Sequence, residues 1–120
     1  MMKRPEAAHK TYNLPGKYVK ALKTEAITEY GSMLQMDYSV LVMPEDIIHY
    51  KSTLNVEHQS TELTDEKIKT IYEYKLSLIH DTLLPSTSIV ITHIDPGERV
   101  QYFYSHDQVF LIIFIVITRE

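Results

Sequence analysis

Two acids in this 120-residue chain stand where they could share a cation. Asp37 lies in "MLQMDYSVLVM" and Glu57 in "TLNVEHQ", runs in which apolar and polar residues alternate. Strand alternation sets Asp37 with Gln35 and Ser39 on one face, and Glu57 with Asn55 and Gln59 on one face, while His58 points the other way. If the two strands are neighbours, two carboxylates and one amide converge on a single patch. Two hard oxygen donors suit Mg²⁺ or Mn²⁺, which keep several waters and take one or two carboxylates together with phosphate oxygens. Such an ion neutralises phosphodiester charge and lowers the pKa of a bound water. By spacing alone, solvated acids at strand edges are the simpler explanation.

The elements that must position these residues are legible to different degrees. "STELTDEKIKTIYEYKLSLIHDTLLP" carries the clearest helix signal. Thr64 can cap it, Asp65 and Glu66 suit its positive first turn, and Ile68, Ile71, Tyr72, Lys75, Leu76 and Ile79 trace a stripe that stops before Pro85. "TSIVITHI", "VQYFYS" and the apolar run Val109 to Thr118 read as strands, with a turn at Pro96 and Gly97. Tyr102, Phe103 and Tyr104 offer faces on which bases could stack, although strand packing is the simpler explanation. Upstream, Tyr18, Leu22, Ala26 and Tyr30 recur four apart, so residues 17–30 are expected to be a short helix. "PEDIIHYKS" is expected to be a second strand or a bent connection. A helix between two strands implies a crossover, and the fold class is α/β, with α+β as the alternative, built on a central mixed sheet flanked by helices.

Composition narrows the partners. Apolar residues make up 44% of the chain and charged residues 23%, as in globular proteins able to bury one core. There is no cysteine and no apolar leader in "MMKRPEAAHKTYNLPG", which points to a cytoplasmic address. The run from Val109 to Thr118 is too short for the roughly 20 residues of a spanning helix, so no membrane partner is expected. Charge is uneven: residues 1–24 carry +5 and the remainder −9. Residues 1–16, broken by Pro5, Pro15 and Gly16, are expected to be a basic arm ahead of a single domain over 17–120. Lys10, Lys17 and Lys20 are its candidate phosphate contacts.

The segment "LNVEHQSTELTDEKIKTIYEYKLSLIHDTLLPSTSIVITHID" resembles the central part of the recombination-promoting nuclease and transposase-like families of the PD-(D/E)XK superfamily. There an acid-x-Gln strand, written EHQS after an apolar pair, precedes a helix with a central Tyr and then a strand opened by Leu-Pro. Glu57, Gln59, Ser60, Tyr74 and Pro85 occupy those places, and Asp37 falls where the family keeps its first metal-binding Asp. The likeness spans Leu34 to Asp95, roughly half the chain.

The resemblance implies a restriction-endonuclease-like core and Mg²⁺-dependent (or Mn²⁺-dependent) hydrolysis of DNA. Asp37 and Glu57 would be the metal ligands, with the backbone carbonyl of His58 as a third. Gln59 stands where the superfamily usually has a Lys that orients the attacking water, and an amide supplies no positive charge. Lys75 on the following helix, or Lys51 before the strand, is the candidate to restore it; Glu25 or Glu29 could add an acid. The alternative is a non-catalytic binding or homo-oligomeric assembly module on the same fold, in which a strand edge or the C-terminal strand pairs with a second copy.

Overall fold

Period-two alternation decides which side of the sheet each strand residue serves. The computed structural model describes residues 4–28, 30–104 and 110–118. Its elements are α1 (Pro5–Thr11), β1 (Lys17–Ala21), β2 (Glu25–Ile27), β3 (Met33–Gln35), β4 (Tyr38–Met43), β5 (Ser52–Gln59), α2 (Asp65–Thr82), β6 (Ser86–Thr92), β7 (Val100–Tyr104) and β8 (Phe110–Ile117). A six-stranded sheet runs β1-β4-β5-β6-β8-β7, and β2 with β3 forms a separate small hairpin. The β1–β4, β4–β5 and β7–β8 pairs are antiparallel, while β5–β6 and β6–β8 are parallel. The architecture is thus α+β with a mixed sheet.

Register explains the clusters on the two faces of the large sheet. Tyr38 pairs with Val56 and Val40 with Leu54, and Val56 in turn pairs with Ile89, so these residues share one face. They form a buried cluster with Ala8 and Leu14 from the α1 region. On the other face Val90, Ile113 and Ile115 pack under Ile71 and Tyr72 of α2. Among the described residues no helix is long and apolar enough to cross a membrane.

The helix α2 behaves as its signals require. Thr64 Oγ1 accepts from Lys67 N–H at 3.1 Å, and Leu83 closes the helix in the left-handed conformation, its N–H donating to Ile79. This helix carries the chain from the end of β5 back to the start of its parallel neighbour β6.

Several expectations are overturned nearer the N-terminus. Residues 5–14 are not a loose arm: α1 starts with Pro5 in its first turn, buries Ala8 and His9, and leads to buried Leu14. Residues 17–28 are not helical; they form β1 and β2. The four-residue spacing of Tyr18, Leu22 and Ala26 coincided with β-suited Val19, Thr24, Ile27 and Thr28, and pairing with β4 and β3 settled the competition. "PEDIIHYKS" is a bent connection held by an isolated bridge between Glu45 and Ile48.

The C-terminal strand is not an uncovered edge either. β8 lies between β6 and β7, so both of its sides are hydrogen-bonded; Ser105 and Val109 lie outside the described residues. The edges are β1 and β7. β1 is short, carries Lys17 and Lys20, and has an irregular register between Tyr18 and Lys20, features that discourage edge pairing.

One glycine is fixed by its surroundings. Gly16 has φ +81°, and a Cβ there would lie 2.7 Å from Val42 Cγ2. Gly16→Ala is expected to destabilise the fold by about 1–3 kcal/mol, read from urea unfolding at constant m-value. An unchanged midpoint would show that α1 and β4 tolerate a shift.

Candidate metal centre

Glu57 is the most enclosed acid of the site. It sits near the C-terminal end of β5, is 1% exposed, and faces α2. Its Oε2 accepts from the Asp37 backbone N–H at 2.9 Å and from Asn55 Nδ2 at 3.1 Å. Its Oε1 accepts from Lys67 Nζ at 3.0 Å. Burial pushes the carboxyl up from its ordinary range, and the nearby Asp37 charge acts in the same direction; the Asp37 amide and Lys67 act against them.

Asp37 completes a reciprocal clamp. Its Oδ2 accepts from the His58 backbone N–H at 2.7 Å, while its own N–H serves Glu57. The clamp explains a departure from the single strand expected over residues 33–43. Met36 turns its N–H to Thr24 and is buried, Asp37 turns its N–H to a carboxylate, and the run breaks into β3 and β4 at those two residues. Asp37 is exposed at this break, so an acid open to solvent adjoins an acid closed from it.

The cation that contacts Glu57 is a residue that sequence reasoning missed. Lys67 stands in the first turn of α2 and, with Ile71, Tyr74 and Leu78, forms a stripe at helical spacing. Ile71, Tyr72, Tyr74, Ser77 and Leu78 are buried, whereas Leu76 is exposed, so the helix face is rotated from the expected one. Lys67 Nζ also lies 5.7 Å from the centre of the Tyr74 ring. The Tyr74 hydroxyl donates to the Gln35 carbonyl at 2.8 Å, and its pKa is pushed up to about 12 by burial and by the charges of Glu57 and Asp37.

The other candidates are placed as follows. Lys75 is eight residues beyond Lys67, about 12 Å along the helix, and burial lowers its pKa. Lys51 precedes β5 and so lies six residues from Glu57, about 20 Å of strand. Lys67 is the lysine in contact with Glu57 among these three. Glu25 is exposed on β2 opposite Gln35 and bonds to neither acid; Glu29 lies outside the described residues. Gln59 Nε2 donates to Thr61 Oγ1 at 3.2 Å and to the Glu62 carbonyl at 3.4 Å. The His58 ring lies on the opposite face, beside Tyr12 and Tyr38.

Lys17 pairs with Met43, at the far end of β4 from Asp37, about 20 Å away; Lys20 pairs with Leu41. Lys10 and Lys17 instead line an open groove with Arg4 beside α1. Lys23 is nearer the site but is held by Ser77 and Asp81 of α2. The expected basic arm therefore does not flank the acid pair.

No protein-family model, curated protein or solved structure matches the chain. Function must be argued from the donor set. Among the described residues no group of three or more His, Cys, Asp or Glu side chains is gathered. Two carboxylates are the number Mg²⁺ takes when waters and phosphate oxygens complete its shell. The exposed Asp37 carboxylate and Glu57 Oε1 are the side-chain donors that could serve it, and of the His58 backbone it is the N–H that meets Asp37.

A cleft of about 300 Å³ adjoins the site at the C-terminal ends of β5 and β6. Gln59 belongs to its wall, two residues along β5 from Glu57, and Asp65 and Ile68 enter it from the first turn of α2. Ligands of open α/β sheets gather at this end of parallel strands.

Proposed function

We propose that the chain hydrolyses DNA phosphodiesters with Mg²⁺, on a restriction-endonuclease-like plan of the PD-(D/E)XK kind. The observation that carries this reading is the clamp in which Asp37 and Glu57 each receive the other strand's backbone N–H while Lys67 donates to Glu57. The element order gives it further support. An Asp ahead of β4, an acid-x-Gln at the end of the neighbouring β5, a helix with a central Tyr, and a parallel strand after Pro85 follow one another as the resemblance requires.

Mg²⁺ held there would supply Lewis acidity to the phosphate and a nucleophilic water at neutral pH. The residues of the chain do the rest. Asp37 Oδ2 and Glu57 Oε2 are held in place by backbone amides, which leaves each carboxylate a second oxygen oriented by its fixed partner. Asn55, wholly buried, keeps Glu57 Oε2 occupied and so fixes which oxygen is offered outward. The Gln59 amide nitrogen is engaged by residues 61–62, which leaves its carbonyl oxygen to accept a hydrogen bond from the attacking water. Lys67 brings the positive charge that Gln59 lacks to the developing charge on phosphorus oxygens.

The test is cleavage of DNA in Mg²⁺ and Mn²⁺ by wild type, Asp37→Ala and Glu57→Ala. Loss of a metal ligand is expected to lower the rate roughly a thousandfold. An inert wild type, or variants that cut as well as it does, would remove the proposal.

A further inference from the structure

The cleft beside Gln59 has a composition that selects its ligand. Its floor is apolar, made by Ile68, Val90 and Ile115, with the half-buried Phe103 ring at its side. Gln101 and Thr92 add an amide and a hydroxyl to the lining. Glu62, Asp65 and Asp95 are exposed on its rim, and among the described residues no lysine or arginine lines it. Three carboxylates repel phosphate, so the group that enters carries no negative charge and brings hydrogen-bond donors. An apolar floor with an aromatic wall favours a flat ring, and a volume of about 300 Å³ is small enough to admit one ring system.

Position adds the second constraint. Gln59 and Glu57 face the same way two residues apart on β5, about 7 Å, within the reach of one nucleotide. Lys67 at the acid pair and Ile68 in the cleft are successive residues of α2. A phosphate at the acid pair would therefore place its own base at the cleft mouth.

We infer that the cleft holds an unstacked nucleobase next to the phosphate under attack, and that it prefers bases with an exocyclic amine, cytosine, adenine or guanine, to thymine. Carboxylates on the rim accept from such amines, as Asp and Glu do from cytosine N4. A base can enter only when it is out of the duplex stack, so the substrate is single-stranded or locally unpaired nucleic acid. This inference rests on the proposed hydrolysis for its phosphate half; the base half stands on the cleft itself.

The experiment separates the two halves. Cytidine, thymidine and inorganic phosphate are titrated in turn into ¹⁵N-labelled full-length protein without metal. Cytidine is expected to shift the amides of Thr92, Ile94, Gln101 and Phe103, thymidine to bind at least fivefold more weakly, and phosphate to leave them in place. Phe103→Leu keeps apolar packing but removes the ring, and is expected to weaken cytidine about tenfold. In parallel, a single-stranded oligonucleotide is expected to be cut at least tenfold faster than the same sequence in a duplex. Cytidine binding that Phe103→Leu weakens, without any cleavage of DNA, would sustain the cleft and remove the hydrolysis. DNA cleavage with no cytidine-induced shifts, or equal binding of cytidine, thymidine and phosphate, would overturn the cleft inference alone.

Discussion

Glu57→Gln is expected to remove Mg²⁺-dependent hydrolysis, by roughly a thousandfold, and at the same time to make the folded protein more stable at neutral pH. The two effects have one cause. A carboxylate that is 1% exposed pays for desolvation, and burial is the largest influence on Glu57, holding its pKa above the ordinary 4.5. For an acid raised in this way the folded state binds more protons than the unfolded state between the two pKa values. Stability therefore falls as pH rises from about 4.5 through the folded pKa, and the cost is complete above it. Glutamine carries no such cost. Its carbonyl can accept from the Asp37 amide and Asn55 as Oε2 does, and Lys67, partly exposed, can swing toward water. The gain at pH 7 is expected to be about 0.5–2 kcal/mol, and to vanish below pH 4 where wild-type Glu57 is protonated in both states. Melting temperatures of both proteins in EDTA, taken from pH 4 to 8, measure it. A variant less stable than wild type at pH 7 would mean that the acid pair is there for structure.

The β5-α2-β6 unit was legible because three independent signals agreed: alternation up to Gln59, a capped start at Thr64, and a stop before Pro85. The acid pair was legible for the same reason, since period two alone sends Glu57 and Gln59 one way and His58 the other. The N-terminal third was not. Four-residue spacing between Tyr18, Leu22 and Ala26 is compatible with a helix, and only the hydrogen-bonding partners supplied by β4 and β3, distant in sequence, make strands of it. Residues 5–14 look like a charged arm because Ala8 and Leu14 are buried against a sheet face that sequence does not display. Of the lysines, position along the chain favoured Lys51 and Lys75. The helix phase favours Lys67, and that phase is set by Tyr74, Ser77 and Leu78, whose burial an apolar count over Ile68, Leu76 and Ile79 misassigned.

Lys67→Met is expected to slow hydrolysis by about a hundredfold or more and yet to tighten Mn²⁺ binding about tenfold. Opposite signs follow from the geometry of Glu57. Two donors already occupy Oε2, so a cation must approach Oε1, and Oε1 is where Lys67 Nζ donates at 3.0 Å. Lysine and metal ion are therefore competitors for one oxygen until the lysine withdraws, and the Tyr74 ring 5.7 Å from Nζ gives it a nearby place to rest. Methionine keeps the unbranched stem and the helix propensity but removes the competing charge, which leaves Glu57 more open to Mn²⁺ and the phosphate without its cation. Lys67→Arg should restore part of the rate, because charge is retained, though a planar fork fits the lysine's place imperfectly. Calorimetry or electron paramagnetic resonance reads Mn²⁺ affinity without any substrate, and DNA cleavage reads the rate. Weaker Mn²⁺ binding with an unchanged rate would reduce Lys67 to a structural ion pair. Tighter binding with a slower reaction can arise only if Lys67 opposes the metal in the resting site and serves the phosphate once the metal has displaced it.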